Sequence, residues 1–147
     1  MHTDLRLQDH PALFACSQSG PVIPIWIYDE KADPCWKSGK PTKWWLSQSL
    51  HQLARSLSSM GSRLTVREGD TSDELIKLAE ETNASQVCWN RPQSNRNRQI
   101  ASTLKQALKA KKIRQHEYEG DEVFPDHLFI LQDGSLRQTF TPFWKSC

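Results

Sequence analysis

An α/β fold, a doubly wound parallel sheet of the Rossmann-like kind, is what the order of segments predicts for these 147 residues. Three observations carry that expectation. Short β-compatible runs alternate with helix-like runs, four of each. The strongest run, Val22–Tyr28, is apolar almost throughout, as a strand covered on both faces would be. The helical runs are punctuated by caps and stop signals, so the alternation is not an accident of composition.

Taken in order, the first helix is expected from about Asp9 to Gln18, with Leu13, Phe14 and Cys16 turned inward. The strand Val22–Tyr28 follows. Gly39 and Pro41 open a helix that carries Leu46, Leu50, Leu53, Leu57 and Met60 at steps of four and three, and Gly61 stands where a helix-ending glycine belongs. A second strand is expected over Arg63–Arg67. Thr71 and Glu74 then form a capping box ahead of Leu75, Ile76 and Leu78. The strand Gln86–Asn90 precedes a helix whose stripe is Ile100, Leu104, Ala107 and Leu108, and a last strand runs over Ile113–Tyr118. Beyond it, Asp133-Gly134 between two β-compatible runs signals a C-terminal hairpin. No repeat or low-complexity segment interrupts the chain, which reads as one domain over residues 1–147.

The opening stretch HTDLRLQDHPAL has the character of a loop leaving a strand and entering a helix. In a doubly wound sheet the first strand is commonly central. The expectation is therefore a sheet whose first strand is missing, in a chain truncated at its start.

Composition narrows the functional classes. A formal charge of +2 lacks the concentrated basic excess of a dedicated nucleic-acid binder. Cys16, Cys35, Cys88 and Cys147 make no C-x-x-C pair and lie at no zinc-like spacing from a histidine, so reduced thiols in a cytoplasmic protein and no metal site are expected. No apolar run has the length of a membrane span. The six glycines are scattered singly, so the clustered backbone of a phosphate-binding loop is absent, and no nucleophile elbow appears. No catalytic residue is assigned.

Candidate binding residues gather at expected strand ends. Asp4, Arg6 and Asp9 precede Pro11; they read either as a cap in which an arginine pairs carboxylates or as the polar rim at which open α/β sheets bind ligands. Tyr28, Asp29 and Asn90 would face the same crevice. Of Trp44 and Trp45, about 100° apart around a helix, at most one faces any given pocket. The run Arg91–Gln99 reads either as a phosphate-binding segment or, more simply, as a solvated loop.

These residues resemble the N-terminal α/β domain of the DNA photolyase and cryptochrome family. The likeness rests on AspLeuArgLeuGlnAsp from Asp4, TrpIleTyrAsp ending at Asp29, LysTrpTrpLeuSerGlnSerLeu from Lys43, and PheThrProPheTrpLys from Phe140, in the family's order. It implies an antenna domain holding a light-harvesting chromophore, methenyltetrahydrofolate or 8-hydroxy-deazaflavin, beside a C-terminal helical domain that carries FAD and contacts damaged DNA. The family's activity is light-driven repair of pyrimidine dimers; the fragment alone is expected to be inactive. By the same resemblance Asp4, Arg6, Trp26, Asp29, Lys43, Asn90 and Asn95 become cofactor-binding candidates. Ser94 and Asn95 stand before Arg96 where folate-type relatives place an Asn-Glu pair. Two alternatives stay open: a cryptochrome-like interaction module and a stand-alone small-molecule binder, neither with repair activity.

Overall fold

The computed structural model describes residues 4–30, 39–120, 130, 134–135 and 139–145. Helix α1 (Pro11–Ser19) leads to strand β1 (Ile25–Tyr28), helix α2 (Lys40–Ser59), strand β2 (Thr65–Glu68), helix α3 (Thr71–Glu81), strand β3 (Gln86–Asn90), helix α4 (Asn95–Ala110), strand β4 (Arg114–Tyr118) and a short helix α5 (Phe140–Trp144). The α/β alternation is as the sequence predicts. The expected hairpin around Asp133 lies largely outside the described residues, although Gly134 has the positive φ of 81° that a tight turn requires.

The sheet differs from a continuous one. Four strands form two separate two-stranded parallel pieces, β1 with β2 and β3 with β4. Registers are fixed by Ile25 opposite Thr65 and by Gln86 opposite Arg114. The main-chain bonds at the ends show which way each strand faces. Thr65 N–H donates to the Pro24 carbonyl at 2.8 Å and Gly69 N–H to that of Tyr28 at 3.0 Å. Alternation along a strand then turns the main chain of Trp26 toward β2 and that of Ile25 and Ile27 away from it. Likewise Arg114 donates to Ser85 and Arg91 to Tyr118, so Gln86, Cys88 and Asn90 turn their main-chain groups away from β4.

Boundaries moved for identifiable reasons. β1 starts three residues after Val22 because Pro24 has no N–H for a ladder. α1 starts at Pro11 because Asp9 has φ 51°, a left-handed conformation, and the cap is His10, whose Nδ1 accepts Leu13 N–H at 3.1 Å. α3 is capped by Asp70, which accepts Ser72 N–H at 2.9 Å and Asp73 N–H at 3.1 Å, so Thr71 is the first helical residue rather than the cap. Gly61 follows α2 with φ 77°, the glycine stop that the sequence marks.

Packing is uneven. Trp89, Ala101, Leu104 and Leu108 form the buried core, with Leu75, Ile76, Val87 and Ile113 packed against it. Burying a side chain such as Leu108 stabilises by roughly 1.5–3 kcal/mol. α2 buries only Leu57 fully, and both Trp44 and Trp45 are exposed, at 64% and 68%, so neither is the core residue that one of the pair was expected to be. Among the described residues no helix is long and apolar enough to cross a membrane.

Candidate functional site

The loop before α1 and the C-terminal end of β3 are tied into one knot. Asn90, only 1% exposed, is its centre. Its Oδ1 accepts Ala12 N–H at 3.1 Å, satisfying one of the donors that the start of α1 leaves open. Its Nδ2 donates to Asp4 Oδ2 at 3.2 Å and lies 3.3 Å from His10 Nδ1. Because His10 Nδ1 also accepts Leu13 N–H, the bonding pattern assigns that nitrogen as an acceptor. Arg6 closes the knot by donating from Nε to the Asp9 carbonyl at 3.0 Å and from Nη2 to the Gly120 carbonyl. Gly120 has to be glycine here: a Cβ on it would sit 2.7 Å from Asn90 Cγ. His10 and Gly120 were absent from the sequence reading, since nothing local marks a histidine cap or a distant close approach.

Beside the knot lies a cavity of about 1150 Å³, counting its open mouth. Asp4, Arg6, Trp26 and Asn90 of the candidate residues line it, together with apolar side chains from α1, α2, α3 and α4. Asp4 Oδ1 is buried with no hydrogen-bond donor among the described residues. Cys16 and Cys88 also face this space; burial, with the neighbouring Cys16 thiol, pushes the Cys88 thiol up to about 12, which leaves it protonated and unreactive at neutral pH.

The remaining candidates lie elsewhere. Asp29, at the end of β1, accepts Thr71 N–H at 3.1 Å and Thr71 Oγ1–H at 3.0 Å, which joins β1 to the start of α3. Lys43 places its ammonium 5.7 Å from the centroid of the Tyr28 ring, and the hydrogen bond with the Tyr28 hydroxyl raises its pKa above the ordinary lysine value. Trp26 stacks on Tyr28 with centroids 6.1 Å apart. Asn95 is an exposed first residue of α4, capped by Ser94, and is not brought to the cavity. A further polar cluster, unforeseen in the sequence, bridges β3, β4 and α4: Glu117 accepts from Trp89 Nε1 at 3.1 Å and from Lys105 Nζ at 2.6 Å.

The DNA photolyase family model matches residues 1–147. The chain belongs to the DNA photolyase family. A solved class III photolyase from Agrobacterium tumefaciens is 34% identical and superposes with a TM-score of 0.84, over 97% of this chain and 29% of that one. Cryptochrome-2 of Arabidopsis thaliana is 29% identical over 98% of this chain and 24% of its own length. An archaeal photolyase from Sulfolobus tokodaii, described with two FAD molecules and as implying a novel light-harvesting cofactor, has 25% identity and a TM-score of 0.71 over 97% of this chain and 32% of that one. The chain thus spans less than a third of the length of the photolyases and cryptochromes it matches, and the part matched is their N-terminal domain. Its α/β Rossmann-like fold is that of the photolyase N-terminal domain.

Proposed function

We propose that this chain is the antenna module of a photolyase, a cytoplasmic α/β domain that holds a light-harvesting chromophore and serves a helical FAD-bearing domain C-terminal to it. The observation that carries this reading is coverage: the whole chain matches, and only the N-terminal domain of its relatives is matched. The Sulfolobus photolyase, with its implied light-harvesting cofactor, supports a second chromophore in such proteins.

The residues fit a planar heteroaromatic guest carrying both donors and acceptors, a description that covers a deazaflavin and a reduced folate. Asp4 Oδ1 is a buried acceptor in want of a donor. Lys43, held as an ammonium over Tyr28, offers a cation to an electron-rich edge. Ligands of open α/β sheets bind outside the carboxyl ends of the strands, where Tyr28 and Asn90 both stand. Bound there, the chromophore would absorb light for transfer to FAD; electron transfer to a pyrimidine dimer, and contact with DNA, would belong to the helical domain. Asp4, Arg6 and Asn90 would mainly hold the loop that shapes the rim, and Asp29 the start of α3.

The test is a fluorescence titration of the purified chain with 8-hydroxy-deazaflavin and with methenyltetrahydrofolate, beside a blue-light dimer-repair assay with added FAD. One chromophore should bind at one site per chain, with Lys43→Met weakening it by about tenfold, the loss of one charge-assisted contact. Repair should be undetectable. Repair by the chain alone, or failure of both chromophores to bind, overturns the reading; the second result favours a cryptochrome-like interaction module.

A further inference from the structure

The cavity beside Asn90 lies between the two half-sheets, since its walls include Ile25, Trp26 and Ile27 of β1 on one side and Val87, Cys88 and Trp89 of β3 on the other. Helices from both faces roof and floor it, through Leu13 and Leu57 and through Leu75 and Leu104. A small-molecule pocket in an open sheet sits beyond the strand ends. This one passes between strands.

Its two long walls are backbone edges with spare hydrogen-bonding capacity. Ile25 and Ile27 turn their N–H and C=O groups away from β2, and Gln86, Cys88 and Asn90 turn theirs away from β4. Among the described residues, no main-chain bond reaches those groups on the cavity side. Ile27 is only 3% exposed, so its main-chain pair is out of water and unpaid for. Buried main-chain groups without partners cost roughly 1–3 kcal/mol each in protein contexts, and an apolar side chain filling the space would satisfy none of them. What satisfies both edges at once is another backbone.

We propose that the slot between β1 and β3 is a binding site for one extended apolar peptide strand, running parallel to both. Length follows from the walls: β1 has four residues and β3 five, so four to five residues fill the ladder. Composition follows from the roof and floor, which are apolar on both faces and so call for consecutive β-branched aliphatic residues. Direction follows from Asp4. It is fixed at the C-terminal end of β3 through Asn90, and the connection through α1 into β1 is right-handed only if the strand entering that loop runs the same way as β1. The occupant is a strand presented as a segment in its own right, and the site is separate from the chromophore rim.

The probe is a synthetic peptide of five valine and isoleucine residues behind two solubilising lysines; the control has proline third, which removes one ladder donor and cannot sit in a central strand. Amide exchange of the 147-residue chain is followed with and without each peptide. The expected result is saturable binding of the first peptide, with exchange slowed by about tenfold or more at Ile25, Ile27, Gln86 and Cys88, unchanged exchange at the outer-edge residue Val66, and no effect of the control. Equal binding of the proline peptide, protection at Val66 instead, or no binding at the solubility limit overturns the proposal. So does protection of the four amides in the chain alone, whether in a monomer or in a dimer seen by sedimentation, because the slot would then already have a different occupant.

Discussion

The two halves of this molecule carry sequence signals of similar strength and reach different ends. α4 has a clear apolar stripe, and over β3 and β4 it builds the buried core around Leu108. α2 is the longest helix, 20 residues with a proline-marked start and a glycine stop, yet it buries Leu57 and leaves Trp44, Trp45 and Met60 in solvent. Amphipathicity supplies a face; what the face meets is decided by the sheet beneath it. Under α4 two strands are paired and covered. Beside α2 lies an open slot.

If that contrast is real, truncation in the closed half must cost far more than in the open half. Leu108→Ala, at a position with 0% exposure, is expected to lower unfolding free energy by about 2–5 kcal/mol. Leu53→Ala on α2, a half-buried position lining the slot, should cost under about 1 kcal/mol. Urea unfolding of both variants measures the pair, and equal losses would abolish the distinction.

The knot that links the halves comes next in size. Asn90→Ala removes the acceptor for Ala12 N–H and the donor to Asp4, and is expected to cost about 1–3 kcal/mol. Gly120→Ala forces a methyl group to 2.7 Å from Asn90 Cγ, with a cost of about the same order. The sharper measurement is the double variant. Removing the Asn90 amide frees the room that the new methyl needs, so the double loss should fall short of the sum of the single ones. Strict additivity would mean that the close approach is relieved elsewhere.

These particulars show what the sequence could disclose. β3 was placed to the residue, because Gln86–Asn90 is bounded by a helix end and by Pro92. α2 was placed nearly as well, because Pro41 and Gly61 are local stops. The gap in the sheet was legible too, since a loop-like opening stretch implies a strand before it. The jobs of the site residues were not. Asn90 looked like a ligand because it ends a strand, and only the fold reveals that Ala12, Asp4 and His10 converge on it. Asp29 meets Thr71 across 42 positions, and Gly120 matters through Asn90; such dependence has no periodicity from which to read it.

A smaller effect separates the halves by pH. Burial alone would raise the Glu117 carboxyl, but hydrogen bonds from Lys105 and Trp89 outweigh it and hold the group below its ordinary value of 4.5. A folded pKa held below the unfolded one gives stability that is complete above the unfolded value and is lost as pH falls through the folded one. Glu117→Gln should therefore cost about 1 kcal/mol at pH 7, discounted for the partial exposure of the pair, and the difference from the parent should shrink from pH 4.5 downward. Urea midpoints across that range measure it. A difference that persists undiminished at the acid end would show that the carboxylate's charge is not what the closed half uses.

The smallest expected effect is also the most exacting for the open half. Trp45 is 68% exposed on α2, so Trp45→Ser removes a large side chain that little in the described structure covers. An unfolding free energy within about 0.5 kcal/mol of the parent is expected, the range of surface substitutions away from caps and networks. Trp144, 62% exposed and stacked on Phe140 with centroids 6.0 Å apart, supplies a matched comparison from the far end of the chain. If Trp45→Ser instead costs as much as Leu108→Ala, then α2 has a packing partner and the open half is closed by something other than a strand. If both tryptophan changes are silent, these rings add nothing to the fold of this chain, and a stabilising role for them would need a surface on another domain.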